Sequence, residues 1–250
     1  MTDPRISLGM YPAPASRAIF TAIEQILAAI LDEAGLDEAG IAPDRLAVRH
    51  MCGITLATAP ADAWHYLATP VIGDPAVPRG HYNSLIITPR DGGLARFADF
   101  DPEIHTVAIN EPGSFSGAIT LAAHLASRMG VPLSSTIQSG AHLNSVTLVA
   151  DGRAQLAAID RMSLSLARHD RPEDVERVRV IDETDFYPAP PFVADASLAA
   201  DVVTALRNAL LACTSLPEWP EMERVLGVTG MTVMDDALYP PMAAVMPHTA

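Results

Sequence analysis

The ten residues NEPGSFSGAI, at positions 110–119, place two serines and two glycines where a predicted strand ends and a predicted helix begins. The first N–H groups of a helix have no intrahelical partner and carry about half a positive charge, so they bind anions without a cationic side chain. The hydroxyls of Ser114 and Ser116 add two donors. The alternative is a structural turn, with Ser116 as the helix N-cap and Gly113 as a turn residue. The stretch therefore predicts either a helix cap or an oxyanion site.

Two further polar side chains follow the next two predicted strands. His142 lies in SGAH after the strand at 135–139, and Asp160 ends the strand at 154–160. In a parallel sheet, ligands sit beyond the carboxyl ends of the strands, where the helices begin. A histidine can donate a hydrogen bond in either charge state when its tautomer suits. We therefore expect His142 and Asp160 beside the 110–119 turn, with a structural histidine and a helix-capping aspartate as the alternatives.

Hydrophobic periodicity predicts an α/β protein. Strand and helix alternate in the order β-α-β-α-β between residues 106 and 160, which is typical of a parallel sheet with crossover helices. The helices of this block are predicted to close at Gly130 and Gly152, and an earlier amphipathic helix at 15–34 to stop at Gly35. The other predicted strands are 5–11, 45–51, 64–72, 82–89 and 177–184, and the other predicted helices are 197–214 and 217–227. The segment RDGG at 90–93 is predicted to connect two domains.

Composition excludes several functions. The chain of 250 residues has a net charge of −14 and no basic cluster that would neutralise many phosphates, so we predict no nucleic-acid partner. All 16 basic residues are arginines, which excludes a Schiff-base lysine and a P-loop lysine. The histidines show no HExxH or other metal-ligand spacing, and GSFSG has Phe115 where a nucleophile elbow needs serine. We predict no metal, no cofactor and no catalytic residue.

The N-terminal sequence MTDPRISLGMY has no basic region followed by a long apolar run. As written, the chain is therefore predicted to have no secretory signal and no transmembrane segment, and to be cytoplasmic. It would be periplasmic if a signal has been removed. Cys52 and Cys213 are far apart in the sequence and predict two ordinary thiols.

The order of the motifs resembles one known family. AINEPGSFSG, followed by SGAHLNSVTLVADGRAQLAAID, is similar to the serine-rich turn, the Gly-Ser/Ala-His motif and the next strand of the phosphate/phosphite/phosphonate substrate-binding proteins of ABC importers. HMCGITLATAP and TPVIGDPAVPRGHYNSLIIT upstream resemble further segments of that family, as do RVRVIDETDFYPAPPFV and GVTGMTVMDDALY downstream. The resemblance spans nearly the whole chain in the same order.

The resemblance implies a type II periplasmic-binding-protein fold, in which two lobes close on a small oxyanion. Each lobe would be a mainly parallel sheet flanked by helices, and two hinge strands would join the lobes. Residues 1–90 plus 188–250 would form lobe I, which is discontinuous, and residues 91–187 would form lobe II. The implied partners are a small oxyanion and an ABC permease, and we expect a monomer.

The resemblance also implies a set of ligand-binding residues. Ser114, Phe115 (through its backbone) and Ser116 match the oxyanion-binding turn. His142 matches the donor at the second helix start, and Tyr82 matches the aromatic residue that closes the site from the other lobe. The remaining implied positions are Tyr11, Cys52, Gly53 and Asp160. Phe115 departs from the small or polar residue that is frequent between the two serines, which predicts a narrower pocket or a different ligand.

Three functions remain open on the sequence. The first is non-enzymatic binding of a phosphonate, phosphate or phosphite as the substrate-binding component of an ABC importer. The second is a cytoplasmic ligand sensor without a transporter, suggested by the missing signal. The third is an enzyme recruited on the same fold, with His142 as the acid–base group and Asp160 as its partner. No nucleophile, metal set or cofactor motif supports the third function.

Overall fold

The chain forms two compact units, and both are α/β. The computed structural model describes residues 3–36 and 46–245. Each unit has a five-stranded sheet with flanking helices. Unit 1 comprises Met1–His81 and Pro188–Ala243, and unit 2 comprises Tyr82–Tyr187 and Ala244–Ala250.

The elements alternate along the chain much as the periodicity predicts. The strands are β1 (Ile6–Ser7), β2 (Val48–His50), β3 (Trp64–Ile72), β4 (His81–Tyr82), β5 (Ser84–Pro89), β6 (Val107–Ile109), β7 (Thr136–Gln138), β8 (Leu156–Asp160), β9 (Val178–Glu183), β10 (Tyr187–Pro188), β11 (Phe192–Asp195) and β12 (Val228–Thr232). The α-helices are α1 (Arg17–Glu33), α2 (Gly53–Thr58), α3 (Thr120–Met129), α4 (His142–Ala150), α5 (Arg161–Asp170), α6 (Pro172–Glu176), α7 (Ala200–Ala212) and α8 (Trp219–Leu226). A π-helix at Phe115–Ile119 precedes α3.

The sheet of unit 1 is mixed and has the order β1-β2-β11-β3-β12. β1 pairs parallel to β2, whereas β11 runs antiparallel to both β2 and β3. β12 runs antiparallel to β3 at the edge. Both β11 and β12 belong to the C-terminal part of the chain, which returns to this unit at Pro188.

Helix α1 packs in unit 1 through one apolar stripe at i, i+4 spacing, and it lies against α7. The side chains of this stripe are at most 1% exposed: Ile19, Ile23, Leu27 and Leu31. The helix ends just before Gly35, whose φ of 70° is the left-handed conformation that closes helices. Within the described residues, Pro14–Glu33 is also the one helical stretch long and apolar enough to cross a membrane. Its stripe is packed inside the unit, as in any core helix.

The sheet of unit 2 has the order β7-β6-β8-β5-β9 and confirms the predicted β-α-β-α-β block. β6 is parallel to both β7 and β8. β5 lies antiparallel between β8 and β9, so this sheet is mixed as well. Alternate residues of β8 face opposite cores: Leu156 and Ala158 pack with Leu121 of α3, and Ile159 packs with Val146 of α4.

The chain passes between the units at residues 81/82 and 187/188, where β4 and β10 pair as a separate two-stranded sheet. The segment at 90–93, expected to connect two domains, follows β5 and lies inside unit 2. There, a Cβ on Gly93 would lie 2.2 Å from the carbonyl oxygen of Pro89, so this turn needs glycine. The lobe boundaries expected at 90 and 188 stay a prediction.

One histidine, His50 at the end of β2, is buried in unit 1 without a charged partner among the described residues. Its ring stacks on Phe192 with the centroids 4.1 Å apart, and Nε2 lies 3.3 Å from the carbonyl oxygen of Pro190. Burial lowers the pKa of His50 from 6.5 to about 3, against the smaller opposing effect of the Pro190 carbonyl. The native state therefore resists protonation at this position.

We predict that His50→Phe makes the free energy of unfolding less sensitive to acid. Because the folded-state pKa is depressed, the contribution of neutral His50 is complete above 6.5 and is lost as pH falls toward the folded pKa. Between about pH 6.5 and 4.5 the wild type should lose roughly 2–3 kcal/mol relative to the variant, at ~1.4 kcal/mol per pKa unit. Urea unfolding at both pH values measures this difference. His65→Phe is the control, because His65 lies in β3 of the same unit and is exposed, and this variant should show no such gain. Equal pH profiles for the wild type and His50→Phe would contradict the prediction.

Candidate functional site

The 110–119 turn is capped by Ser114 rather than by Ser116. Ser114 has extended backbone angles, and its Oγ accepts a hydrogen bond of 3.1 Å from the N–H of Gly117. Ser116 lies one residue inside the π-helix, so the alternative that made Ser116 the N-cap is wrong. Single π-helical turns are rare in proteins, and many of those that occur lie at functional sites. Because Ser114 has taken the capping role, the Ser116 hydroxyl is left for another partner.

Gly117 is required by the close packing of this turn. A Cβ at this position would lie 2.8 Å from Oδ1 of Asn110 and 2.9 Å from Oγ of Ser114. Asn110 Oδ1 is buried and has no hydrogen-bond partner among the described residues. The backbone carbonyl oxygen of Asn110 accepts a hydrogen bond from the N–H of Gly140, and this bond joins the turn to the loop before α4. The glycine therefore lets two strand ends come together.

The contact that joins the two helix starts runs from Ser116 to His142. The Oγ of Ser116 lies 2.8 Å from Nε2 of His142, the first residue of α4. The N-cap of α4 is Ala141, which makes no side-chain cap, so the first N–H groups of α4 have no side-chain acceptor from it. Two helix N-termini and one hydroxyl thus meet at one place in unit 2.

Asp160 is buried behind His142, with a relative exposure of 2%. Its Oδ1 accepts from the N–H of Ser163 at 2.9 Å, which makes Asp160 the N-cap of α5. Its Oδ2 accepts from the hydroxyl of Ser163 at 2.6 Å and lies 3.1 Å from Nε2 of His142. Both carboxylate oxygens are therefore engaged by protein groups. The ligand contact expected of Asp160 stays a prediction, while its alternative role as a helix cap is confirmed.

His142 is 8% exposed, and burial is the main influence on its ionisation. Burial lowers the pKa of His142 below 6.5, while the Asp160 carboxylate and the carbonyl group of Ala158 oppose this shift. The carbonyl is not placed to form a good hydrogen bond, because Nδ1 has no partner among the described residues. The ring is therefore neutral at physiological pH, and its hydrogen-bonding nitrogen is Nε2.

Ser163 and Ser84 were not singled out from the sequence, although both support the cluster. Ser163 holds Asp160, and the hydroxyl of Ser84 donates to the carbonyl oxygen of Ser116 at 2.8 Å. An aspartate at a helix start is an N-cap signal for Asp160, but no spacing rule indicates Ser163. Ser84 comes from β5, and no local pattern indicates a contact made across 32 residues.

The side chain of Phe115 does not lie beside the hydroxyls of the turn. It is fully buried, and its ring meets the ring of Tyr187 edge-on with the centroids 4.9 Å apart. Only the backbone of Phe115 is available to a ligand, as the family resemblance implies. The expected narrowing of a pocket by this ring therefore finds no support in unit 2.

The other implied residues are distributed between the units. Tyr82 is 2% exposed and is the first residue of unit 2. In unit 1, Tyr11 is 3% exposed and lines a cavity of about 460 Å³ beside α1. Cys52 is the N-cap residue of α2, and a Cβ on Gly53 would lie 2.9 Å from Cε of Met242. The structure thus brings Ser114, Ser116, His142 and Asp160 together in unit 2, and the ligand roles of the whole set stay predictions.

Sequence comparison agrees with this architecture. The profile of the family described as "ABC transporter, phosphonate, periplasmic substrate-binding protein" matches residues 38–239. The chain belongs to this family. Its members are substrate-binding proteins and not enzymes, and the family is periplasmic. No curated protein matches the chain in sequence.

Solved structures show the same fold at low sequence identity. A binding protein component of an ABC phosphonate transporter from Pseudomonas aeruginosa is 17% identical, with a TM-score of 0.74 over 97% of this chain and 86% of that one. PhnD1 from Prochlorococcus marinus, solved with methylphosphonate, is 13% identical, with a TM-score of 0.75 over 97% of both chains. A Xanthomonas citri protein solved with ATP is 17% identical, with a TM-score of 0.67 over 96% and 94%. The chain therefore has the type II periplasmic-binding-protein fold, with mixed sheets.

Membership of this family agrees with the geometry at His142. A Ser-His-Asp triad needs the serine on one ring nitrogen and the carboxylate on the other, so that the carboxylate fixes the tautomer whose free nitrogen takes the serine proton. Here Ser116 and Asp160 both lie against Nε2, and Nδ1 contacts neither. The cluster fixes a donor rather than a general base, which leaves the enzyme hypothesis without support.

We predict that Gly117→Ala destabilises the protein and that Gly113→Ala does not. The new methyl group at 117 would press on Asn110 and Ser114, and such overpacking costs about 1–3 kcal/mol. At Gly113 a Cβ has no atom within 4 Å, so this alanine should be neutral or slightly stabilising. Urea unfolding of both variants makes the comparison within one turn. Equal stability of the two variants would show that the turn tolerates a side chain at 117.

Proposed function

We propose that this chain is the substrate-binding component of an ABC importer and that it binds a small oxyanion of the phosphonate, phosphate or phosphite type. The observation that carries the proposal is the 2.8 Å contact between Ser116 Oγ and His142 Nε2. It joins the start of the π-helix and the uncapped start of α4. A tetrahedral oxyanion offers several acceptor oxygens to such a group of donors.

The donors belong to unit 2 and carry no formal charge. They are the hydroxyls of Ser114 and Ser116 and the leading N–H groups of the π-helix and of α4. Helix N-termini favour negative charge through aligned peptide dipoles, and oriented N–H groups supply directed hydrogen bonds. Arg161, the nearest arginine in sequence to Asp160, is engaged by Asn83 and Glu183 instead. Recognition by neutral donors therefore does not need a cationic side chain.

The net charge of −14 is compatible with this proposal. Overall charge mainly acts on long-range steering, while affinity depends on the local field of the bound anion's neighbours. The solved relatives illustrate the range of anionic ligands on this fold, since one holds methylphosphonate and another holds ATP. We assign the small oxyanion because the unit 2 donors form one compact cluster.

Family membership supports a proposal about delivery. We propose a periplasmic protein that hands its ligand to an ABC permease and works as a monomer without nucleic acid. The family supplies the support for the periplasmic location and the permease. Pull-down with the permease expressed from neighbouring genes, with and without methylphosphonate, tests the partnership.

We predict that Ser116→Ala weakens ligand binding far more than it weakens folding. The variant loses one hydrogen bond to a charged ligand, worth about 1.5–3 kcal/mol, so affinity should fall roughly 10- to 150-fold. Folding should lose about 1 kcal/mol or less, because Ser114 and not Ser116 caps the helix. Isothermal titration with methylphosphonate, phosphate, phosphite and 2-aminoethylphosphonate, together with urea unfolding, measures both quantities.

Ser127→Ala is the matched control, since Ser127 is an exposed serine of α3 whose hydroxyl donates to the carbonyl oxygen of His124. It should bind like the wild type. Ser114→Ala should in addition cost about 1 kcal/mol of stability through the lost cap. Wild-type affinity in Ser116→Ala would remove this hydroxyl from the site, and absence of binding to all four ligands by the wild type would refute the oxyanion proposal.

A further inference from the structure

The direction of the hydrogen bonds in the cluster follows from the Asp160 carboxylate. An ionised carboxylate is acceptor-only, and its Oδ2 lies 3.1 Å from Nε2 of His142. Two acceptors at this distance would repel each other, so Nε2 carries the ring proton. The Oγ of Ser116, 2.8 Å from the same nitrogen, then accepts from Nε2–H and does not donate to it. His142 thus donates to Ser116, while the same nitrogen lies at ion-pair distance from the Asp160 carboxylate.

Both serine hydroxyls consequently point their hydrogens away from the protein contacts described so far. Ser114 Oγ accepts from the N–H of Gly117, as Ser116 Oγ accepts from His142. Neither hydroxyl donates to an acceptor among the described residues. Two O–H donors, two residues apart on one turn, are therefore available to a ligand.

The acceptors near these donors are all used or covered. Both oxygens of Asp160 are filled by Ser163 and His142, and the residue is 2% exposed. Oδ1 of Asn110 is buried against Gly117. A ligand oxygen that carries a proton would therefore find neither the Asp160 carboxylate nor the Asn110 amide oxygen open to accept that proton, and a buried unpaired donor is costly.

We propose that Asp160 and Ser163 are positioning residues that hold the ring proton of His142 on Nε2, so that the cluster offers donors only and selects the fully deprotonated form of its oxyanion. This inference rests on the proposed function. It specifies the charge state of the ligand and assigns a role to Ser163, which touches no ligand itself. Asp160 acts in the same way, through His142 and Ser116.

Charged groups on the elements packed around α4 do not compete for His142. Asp160, at the end of β8 and the start of α5, is the charge that acts on the ring. Arg161 of α5 is held by Asn83 and Glu183 of β9. Asp174 of α6 is held by Thr147 and Arg177, and Asp182 of β9 by His124. Burial lowers the pKa of His142, which favours the neutral ring.

The test is the pH dependence of binding to the full-length chain, measured by isothermal titration between about pH 6.5 and 8.5. Methylphosphonate changes from monoanion to dianion near neutral pH, whereas methanesulfonate has a similar shape, three bare oxygens and one fixed charge. For the wild type, the affinity for methylphosphonate should fall about tenfold per pH unit below the second ionisation of the ligand, because only the dianion binds. The affinity for methanesulfonate should stay constant.

Asp160→Asn distinguishes positioning from a purely structural role. The amide nitrogen would donate to Nε2, which moves the ring proton to Nδ1 and turns the Ser116 hydroxyl toward the ring. Ser116 Oγ could then accept a hydrogen bond from a protonated ligand. The affinity should therefore fall, and its dependence on pH should become weaker. Ser163→Ala should shift the profile in the same direction with an affinity loss of about tenfold, and Ser163→Thr, which keeps the hydroxyl, should restore it.

Two outcomes would overturn the proposal. One is a wild-type affinity for methylphosphonate that does not change across the second ionisation, which would reveal an acceptor for the ligand proton. The other is an affinity of Asp160→Asn or Ser163→Ala that is lower than that of the wild type at every pH but changes with pH by the same factor. Circular dichroism of each variant confirms folding, and Ser163→Ala provides the answer if Asp160→Asn does not fold. If the wild type binds neither ligand at any pH, the proposed function itself fails, and that result is distinct from a flat profile.

Discussion

A carboxylate buried at the end of a strand is the constraint on which the organisation of unit 2 depends. A charged side chain that is 2% exposed is stable only when its oxygens receive hydrogen bonds from well-placed donors. Asp160 receives them from the N–H and hydroxyl of Ser163, and its Oδ2 also lies 3.1 Å from Nε2 of His142. The two bonds from Ser163 fix the start of α5 on the end of β8, and the contact with His142 fixes the start of α4. One charge thereby sets the relation of two helices to the parallel strands.

The same carboxylate decides what the surface of the cluster can do. Its negative charge would repel an anion if it were open to the ligand, but His142 lies between it and Ser116. The carboxylate holds the ring proton on Nε2, so the ring acts as a hydrogen-bond donor toward Ser116. The result is a neutral donor set with a charge buried behind it. This arrangement suits an acidic chain that has no lysine and whose neighbouring arginine is already paired.

The sequence predicts the elements and the composition of the cluster better than its connections. The apolar stripe of α1 and the β-α-β-α-β block follow from periodicity, and the strand ends place Ser116, His142 and Asp160 at one edge of the sheet. The identity of the cap could not be decided in the same way, because Ser114 and Ser116 are both good N-caps and a π-helical turn leaves no periodic signal. The antiparallel insertion of β5 was missed as well, since it depends on where the chain enters unit 2. Hydrogen-bond direction at His142 is a property of three residues that are distant in sequence.

Phe115 shows why a motif match alone does not define a pocket. By motif, this residue sits between the two serines and is the evident departure from the family, so its large ring suggested a change in ligand. In the structure the ring is fully buried and meets Tyr187 of β10, the strand that leads out of unit 2. A bulky residue here therefore adds packing between the 110–119 turn and the start of that connection. The departure therefore adds packing to the turn, and the Phe115 ring contributes no group beside the Ser114 and Ser116 hydroxyls.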